Sequence, residues 1–119
     1  MTVDVILYAG AVTPERVSGC DVAVIDVFRA TSVLIEALHN GARAVIPVVT
    51  VEEAELMAKK FCRKDVILGG ERGTVLIEGF DKDNSPLAYT RADGEGKTII
   101  QTTTHGTRAI QHSPPAHDI

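Results

Sequence analysis

Residues 23–32 read Ala23-Val24-Ile25-Asp26-Val27-Phe28-Arg29-Ala30-Thr31-Ser32, an apolar run that ends in charged and hydroxyl side chains. The pattern returns twice, in Val66-Ile67-Leu68-Gly69-Gly70-Glu71-Arg72-Gly73 and in Thr98-Ile99-Ile100-Gln101-Thr102-Thr103-Thr104-His105-Gly106-Thr107-Arg108. Such runs are typical of strands buried on both faces of a parallel sheet. In an open α/β sheet the carboxyl ends of parallel strands share one edge, where ligands bind. The three segments therefore predict one site for a small, strongly anionic, phosphorylated substrate.

The composition favours an α/β fold. Of the 119 residues, 45% are hydrophobic but only 4% are aromatic, so the core must consist of Val, Ile, Leu and Ala. Such a core suits a mostly parallel or mixed sheet flanked by helices in three α/β/α layers. The net charge of −4 argues against nucleic acid and membrane surfaces as partners. Two distant cysteines indicate reduced thiols, and we expect a cytoplasmic protein.

Predicted strands and helices alternate along the chain. We expect strands at residues 3–8, 21–27, 42–49, 65–68 and 97–101, with a short one at 75–77. Helices are expected after Thr31-Ser32, after a capping box formed by Thr50 and Glu53, and from Gly106. Two adjacent prolines at 114–115 stop the last helix early. We therefore expect one domain over 1–110, incomplete at its C-terminal end, and an irregular tail over 111–119.

The first segment has two interpretations. A buried carboxylate such as Asp26 is costly unless it is paired, metal-bound or at the sheet edge. Arg29, with Thr31 and Ser32 at a helix start, offers a guanidinium group, hydroxyls and backbone N–H groups to an anion. Alternatively, a hydroxyl merely caps the helix and Asp26 pairs with Arg29. Taken alone, this segment does not separate the two.

The other segments offer similar groups. Gly70 and its glycine neighbours permit a loop whose N–H groups converge on an anion, or they form a simple turn. Glu71 can ligate Mg²⁺, and Asp81 or Glu78 in the following polar loop would be a third carboxylate. In the last segment, Thr104, Gly106, Thr107 and Arg108 repeat the pattern of a strand followed by anion-binding groups. His105 is either an acid/base group or an uninvolved surface residue.

Together, four motifs in chain order resemble the 2-phosphosulfolactate phosphatase family. They are Ile25-Asp26-Val27-Phe28-Arg29-Ala30-Thr31-Ser32, Gly69-Gly70-Glu71-Arg72-Gly73, Glu78-Gly79-Phe80-Asp81 with Asn84-Ser85-Pro86, and Thr102-Thr103-Thr104-His105-Gly106-Thr107-Arg108-Ala109. The resemblance implies an α/β, Mg²⁺-dependent phosphatase that releases phosphate from 2-phospho-3-sulfolactate on the route to coenzyme M. Family members usually have Leu at Phe28 and Asn at His105, and they continue for another domain's length.

The residues and the resemblance lead to one expected mechanism. Asp26 and Glu71, with Asp81 or Glu78, would hold Mg²⁺, which polarises the phosphoryl group and helps to generate hydroxide. Three arginines would neutralise the substrate, namely Arg29, Arg72 and Arg108. Further donors would come from Thr31, Ser32, Gly70, Thr104, Gly106 and Thr107.

Three alternatives and a further expectation accompany this mechanism. Asp26 could instead be a nucleophile that forms a phospho-enzyme. The chain could also be a truncated, non-catalytic anion-binding or assembly fragment. A nucleotide-binding module is disfavoured because no Gly-x-Gly-x-x-Gly follows the first predicted strand. The last predicted helix is too short to cover its side of the sheet, which would leave apolar surface exposed. We therefore also expect a homo-oligomer.

Overall fold

A mixed four-stranded sheet forms the centre of the protein. The structure is a computed structural model that describes residues 1–103 and 106–113, and for Gly106 and Thr107 it describes only the backbone. The strands are β1 (Ala44–Val48), β2 (Val66–Arg72), β3 (Val75–Leu76) and β4 (Thr98–Thr102). Their order is β1-β4-β2-β3, in which β1, β4 and β2 are parallel and β3 is antiparallel to β2. The predicted α/β class is confirmed.

Five helices occur in the described ranges. They are α1 (Pro14–Val17), α2 (Ala30–His39), α3 (Val51–Ala58), α4 (Arg91–Gly94) and α5 (Gly106–Gln111). Short 3₁₀ turns lie at Ala9–Ala11, Arg63–Asp65 and Pro86–Ala88. The predicted capping box is confirmed, because Thr50 Oγ1 accepts from the Glu53 N–H at 3.1 Å while Glu53 Oε2 accepts from the Thr50 N–H. These reciprocal bonds satisfy N–H groups that the first turn of α3 would otherwise leave unpaired.

Apolar side chains form one cluster on each face of the sheet. On one face, α2 packs its buried residues onto neighbouring strands, in the cluster Val33, Ala37, Ala42, Ile67, Tyr89 and Ile99. On the other face, α3 contributes to the cluster Val48, Ala54, Val66, Leu68, Phe80 and Ile100. Successive strand residues alternate between the faces, so adjacent Ile99 and Ile100 are both fully buried. Helices therefore cover both faces of the sheet.

The strands predicted at 3–8 and 21–27 are wrong. Of these residues, only Asp21 is in a bridge and none belongs to a strand. Most of their large apolar side chains are exposed, with Ile25 at 82% and Val27 at 60%. A strand needs a neighbouring backbone segment whose N–H and C=O groups pair with its own. An apolar pattern does not show whether such a segment lies beside it.

The glycine loop predicted after residue 68 is also wrong, because β2 continues through Gly69 and Gly70 to Arg72. Gly70 pairs with Thr102, and its N–H donates to the Lys82 carbonyl at 2.9 Å. That hydrogen bond occupies the amide that we expected to face an anion. A Cβ on Gly70 would lie 2.7 Å from Thr102 Cγ2, so glycine allows close packing here rather than an unusual turn.

The turn occurs instead at Gly73 and Thr74, which join β2 to β3. Arg72 pairs with Val75, so two residues make the connection. Both residues have positive φ, at 57° for Gly73 and 67° for Thr74. Positive φ at both central positions is the geometry of a type I′ turn, which matches the twist of an antiparallel pair.

The last described segment ends at Ser113. Gln111, the first residue of the expected tail, belongs to α5, whereas residues 114–119 lie outside the described part of the chain. Ser113 is fully buried, and its hydroxyl donates to the Ala109 carbonyl at 2.8 Å. Across the described ranges, every helix is too short or too polar to cross a lipid bilayer.

Candidate active site

A cavity of about 220 Å³ lies where the carboxyl ends of β2 and β4 meet the start of α2. Its walls consist of Asp26, Phe28, Arg29, Ala30, Glu71, Gly73, Thr74, Asn84 and Thr103. The structure thus brings together Asp26 and Arg29 from the first motif, Glu71 from the second and Thr103 from the third. Glu71 and Thr103 meet because the carboxyl ends of the parallel strands β2 and β4 lie at the same edge, whereas Asp26 and Arg29 come from the loop that leads into α2.

An ion pair between Arg29 and Glu71 crosses this cavity. Arg29 Nη2 lies 2.5 Å from both Glu71 carboxylate oxygens, and the two side chains are 34% and 16% exposed. Arg29 therefore pairs with Glu71. The structural interpretation of the first motif, in which Arg29 pairs with Asp26, is wrong. Arg29 Nε and Nη1 donate no hydrogen bond to any described residue. As far as the described residues are concerned, those N–H groups can donate to an anion.

Asp26 is a half-buried carboxylate, and no described residue is its cationic partner. Its side chain forms no hydrogen bond or ion pair with the residues that the structure describes, although its backbone N–H donates to Thr31 Oγ1 at 2.9 Å. A partly desolvated carboxylate is costly to leave uncompensated. Its position in the cavity wall makes it suited to bind a cation, accept a proton or attack phosphorus.

The hydroxyls at the start of α2 have local partners. Thr31 Oγ1 accepts from the Asp26 N–H, and the Thr31 N–H donates to the Asp26 carbonyl at 3.2 Å. Ser32 Oγ donates to the Val27 carbonyl at 3.0 Å. Neither residue lines the cavity. These two hydroxyls fix the turn that leads from Asp26 into α2. The expected hydroxyl cap is wrong, because the N-cap residue is Arg29 and no described side chain caps the helix.

The three arginines do not converge on the cavity. Arg72 Nη2 donates to Thr102 Oγ1 at 2.9 Å and to the Val49 carbonyl at 3.1 Å, and so ties β2 to the end of β4 and to the residue after β1. Arg108 is exposed on α5 and does not line the cavity. Because neighbouring side chains on a strand alternate faces, Glu71 in the cavity excludes Arg72 from it.

The structure separates the third expected carboxylate from the other two. Asp81 Oδ2 accepts from the Leu68 N–H at 2.8 Å, and Asp81 Oδ1 lies 2.5 Å from Arg63 Nη2. It lines a different cavity of about 410 Å³. Glu78, the other candidate, is exposed and lines neither cavity. Among described residues, no group of three His, Cys, Asp or Glu side chains is arranged to hold a metal.

The remaining expected donors are described only in part. Thr104 and His105 lie outside the described residues, and Gly106 and Thr107 are defined as backbone at the start of α5. Sequence reasoning missed Thr103, although its position directly after β4 is where strand ends predict ligand contacts. It also did not assign Asn84 to the site, although Asn84-Ser85-Pro86 belongs to one of the four motifs that carry the family resemblance.

The fold and the site define the class of protein. It is an α/β domain in which two carboxylates and one arginine lie at the shared carboxyl end of the parallel strands. The family model described as 2-phosphosulpholactate phosphatase matches residues 8–119. The chain belongs to the 2-phosphosulfolactate phosphatase family.

Curated relatives carry the same description. A "Probable 2-phosphosulfolactate phosphatase" of Clostridium beijerinckii is 52% identical over 116 residues, which cover 98% of this chain and 49% of that protein. Proteins with the same name from Clostridium acetobutylicum and Clostridium tetani are 51% and 49% identical over 119 residues, which make up 50% and 51% of their lengths. The chain therefore spans about half the length of the curated relatives that it matches.

Proposed function

We propose that this chain carries a Mg²⁺-dependent phosphomonoesterase site for 2-phospho-3-sulfolactate, and so acts on the route to coenzyme M. The observation that carries the proposal is that the Asp26 carboxylate, which has no partner among the described residues, lies in the same cavity as the Arg29–Glu71 ion pair. The family and the printed names of the relatives supply the reaction class and the substrate. Free, exposed thiols at Cys20 and Cys62 fit our proposal of a cytoplasmic location.

The charges in the cavity support a divalent cation. Two carboxylates, Asp26 and Glu71, face one guanidinium group, Arg29, so the ionised side chains of the wall sum to −1. A substrate with phosphate, sulfonate and carboxylate groups would be repelled by that charge. Mg²⁺ commonly binds through one or two protein carboxylates together with water and substrate phosphate. The residues present therefore fit this type of site, with Asp26 and Glu71 as ligands and without Asp81.

The protein side chains have separate tasks in this mechanism. When bound, Mg²⁺ neutralises phosphoryl charge and helps to supply a hydroxide at neutral pH. Arg29 binds a phosphate oxygen through its Nε and Nη1 groups, while Glu71 holds the guanidinium plane through Nη2. Water adds its oxygen to phosphorus, the ester P–O bond breaks, and the alcohol product leaves with one proton.

A phosphate-release assay tests the proposed function. We expect the purified chain to release inorganic phosphate from 2-phospho-3-sulfolactate, to lose this activity in EDTA, and to regain it when excess MgCl₂ is added. Calcium chloride at the same concentration is the control, since Ca²⁺ favours more ligands and longer bonds than Mg²⁺. If inorganic phosphate binds but no phosphate is released at any Mg²⁺ concentration, this chain is a non-catalytic anion-binding fragment. The family match along nearly its whole length does not favour that alternative.

We also propose that the chain forms homo-oligomers. Apolar side chains in two segments without strand partners are each at least 60% exposed, namely Val3, Val5, Leu7, Ile25, Val27 and Phe28. Large exposed apolar patches mark interaction surfaces. We expect a dimer or larger species by size-exclusion chromatography with light scattering, and a shift toward monomer in I25D/V27D. Leu87→Asp, a change at a residue that is 87% exposed elsewhere, is the control. A monomer peak from the unmodified chain at micromolar concentration would contradict the proposal.

A further inference from the structure

Asn84 is a buried amide side chain in the wall of the candidate active site. It is 6% exposed, and it shares the cavity wall with Arg29, Glu71 and Thr103. A buried amide must find hydrogen-bond partners for both its oxygen and its nitrogen, or lose the stabilisation that water gave them. The partners of Asn84 therefore show what this residue can do for a ligand.

The oxygen of Asn84 is already used within the protein. Asn84 Oδ1 accepts a short hydrogen bond from Gln101 Nε2, and Gln101 is fully buried in β4. The amide nitrogen of Asn84 donates no hydrogen bond to any described residue. In the described part of the chain, no fully buried side-chain nitrogen or oxygen lacks a partner. Asn84 is one of the wall residues of the cavity, so a ligand bound there can contact its side chain.

A second layer of hydrogen bonds fixes Gln101 and the Asn84 loop. The Tyr89 hydroxyl lies 2.9 Å from Gln101 Oε1 and 2.9 Å from the Asp83 carbonyl, and donates toward both. Asp83 Oδ1 accepts from the Ser85 N–H at 2.8 Å, so both neighbours of Asn84 are held. Burial, followed by the nearby Asp83 carboxylate, raises the pKa of Tyr89 above its usual range, so the hydroxyl keeps its proton.

This network has no evident stabilising purpose in an apolar core. Apolar residues of similar volume would avoid the desolvation that buried Tyr89, Gln101 and Asn84 incur. What the network achieves is to fix the Asn84 amide in the wall of the cavity that Arg29 also lines. Donors that are fixed before the ligand arrives bind oxyanions without a reorganisation cost.

We propose that Asn84 is a substrate-contacting residue whose amide N–H groups donate to an oxygen of the phosphate bound by Arg29, and that Gln101 and Tyr89 are its positioning residues. The proposal rests on the proposed function, because it assumes that a phosphate occupies this cavity. It adds a neutral donor to a wall whose ionised groups are Asp26, Arg29 and Glu71. Unlike a second cation, a neutral amide holds the phosphate without pairing with either carboxylate.

Calorimetric titration of the whole chain with inorganic phosphate, in excess MgCl₂, tests this contact. We expect Asn84→Ala to weaken the phosphate Kd about tenfold, since a hydrogen bond to a charged group is typically of that strength. Asn84→Asp should weaken it further, because a carboxylate repels phosphate. Wild-type affinity in Asn84→Asp would overturn the proposal. Far-ultraviolet circular dichroism and thermal melting would verify that both variants fold.

A parallel variant separates this inference from the proposed function. If Arg29→Ala weakens phosphate binding but both Asn84 variants bind like wild type, the site stands and the role of Asn84 is rejected. If Arg29→Ala also leaves the phosphate Kd unchanged, the proposed site itself is wrong. Asn84→Asp thus tests whether Asn84 donates to the phosphate, whereas Arg29→Ala tests whether the phosphate binds in this cavity.

A double-mutant cycle tests the positioning role of Tyr89. We expect Tyr89→Phe to weaken the phosphate Kd about threefold in the wild-type chain and to have no further effect in the Asn84→Ala chain. A residue that only stabilised the fold would lower the melting temperature without such coupling in the Kd. Equal effects of Tyr89→Phe in the two backgrounds would overturn the positioning role.

Discussion

Asp26→Asn is expected to remove nearly all Mg²⁺-dependent phosphate release while it leaves the fold intact. The Asp26 side chain has no hydrogen bond or ion pair with the described residues, so its charge is not needed for stability. The substitution changes the summed charge of the ionised cavity side chains from −1 to zero and removes one of the two proposed metal ligands. We expect kcat to fall about a hundredfold to a thousandfold, which is typical of losing a preorganised electrostatic group.

The matched control is Asp93→Asn, which removes a carboxylate of the same size elsewhere on the surface. Asp93 pairs with Lys82 at 3.0 Å and does not line the candidate active site. We expect kcat and KM of this variant to match those of the wild type. Steady-state kinetics across a Mg²⁺ titration, with thermal melting of each variant, would check both expectations. Asp26→Asn with an unchanged kcat would show that Asp26 has no catalytic or metal-binding role.

Gly69→Ala is expected to destabilise the protein by about 3 kcal/mol, by overpacking and by breaking buried hydrogen bonds. A Cβ at this position would lie 2.2 Å from both Gln101 Oε1 and the Tyr89 hydroxyl oxygen. Both side chains are almost completely buried and cannot simply swing into solvent. For a domain of this size we expect the melting temperature to fall by roughly 10–15 °C.

Gly94→Ala is the control for this prediction. Gly94 lies in α4, and a Cβ there would meet no other heavy atom within 4 Å. Since alanine favours helix over glycine by up to about 1 kcal/mol, we expect an unchanged or slightly higher melting temperature. Calorimetry of the two variants would compare them directly. A Gly69→Ala chain as stable as wild type would mean that β2 and β4 move apart at little cost.

Local sequence signals predicted much of the fold, because the responsible interactions lie close along the chain. The capping box of Thr50 and Glu53 is complete within four residues, and it correctly gave the start of α3. Strands β1 and β4 were also correct to within two residues at each end. Residues 21–27 show where this approach fails. Their apolar character fits a central strand, but pairing depends on which other segment lies beside them.

The site was predictable to the extent that strand ends determine it. Glu71 lies at the end of β2, as expected, and the structure brings it to one cavity with Asp26 and Arg29, although the apolar run before those two residues is not a strand. Arg72 was wrongly expected there because it also follows such a run, and only the face alternation of β2 separates it from Glu71. Asn84 shows the opposite case. Its place depends on a hydrogen bond with Gln101, which is 17 residues away along the chain and is itself held by Tyr89.

The two edges of the sheet restrict how molecules of this protein can join. At one edge, β1 contains Pro47, which has no N–H group to offer an incoming strand, and whose carbonyl accepts from Gln111 Nε2 at 3.1 Å. At the other edge, β3 is only two residues long. Very short edge strands and edge prolines oppose continued strand addition, the step by which fibrils grow. Self-association of this chain should therefore stop at small assemblies joined through side chains.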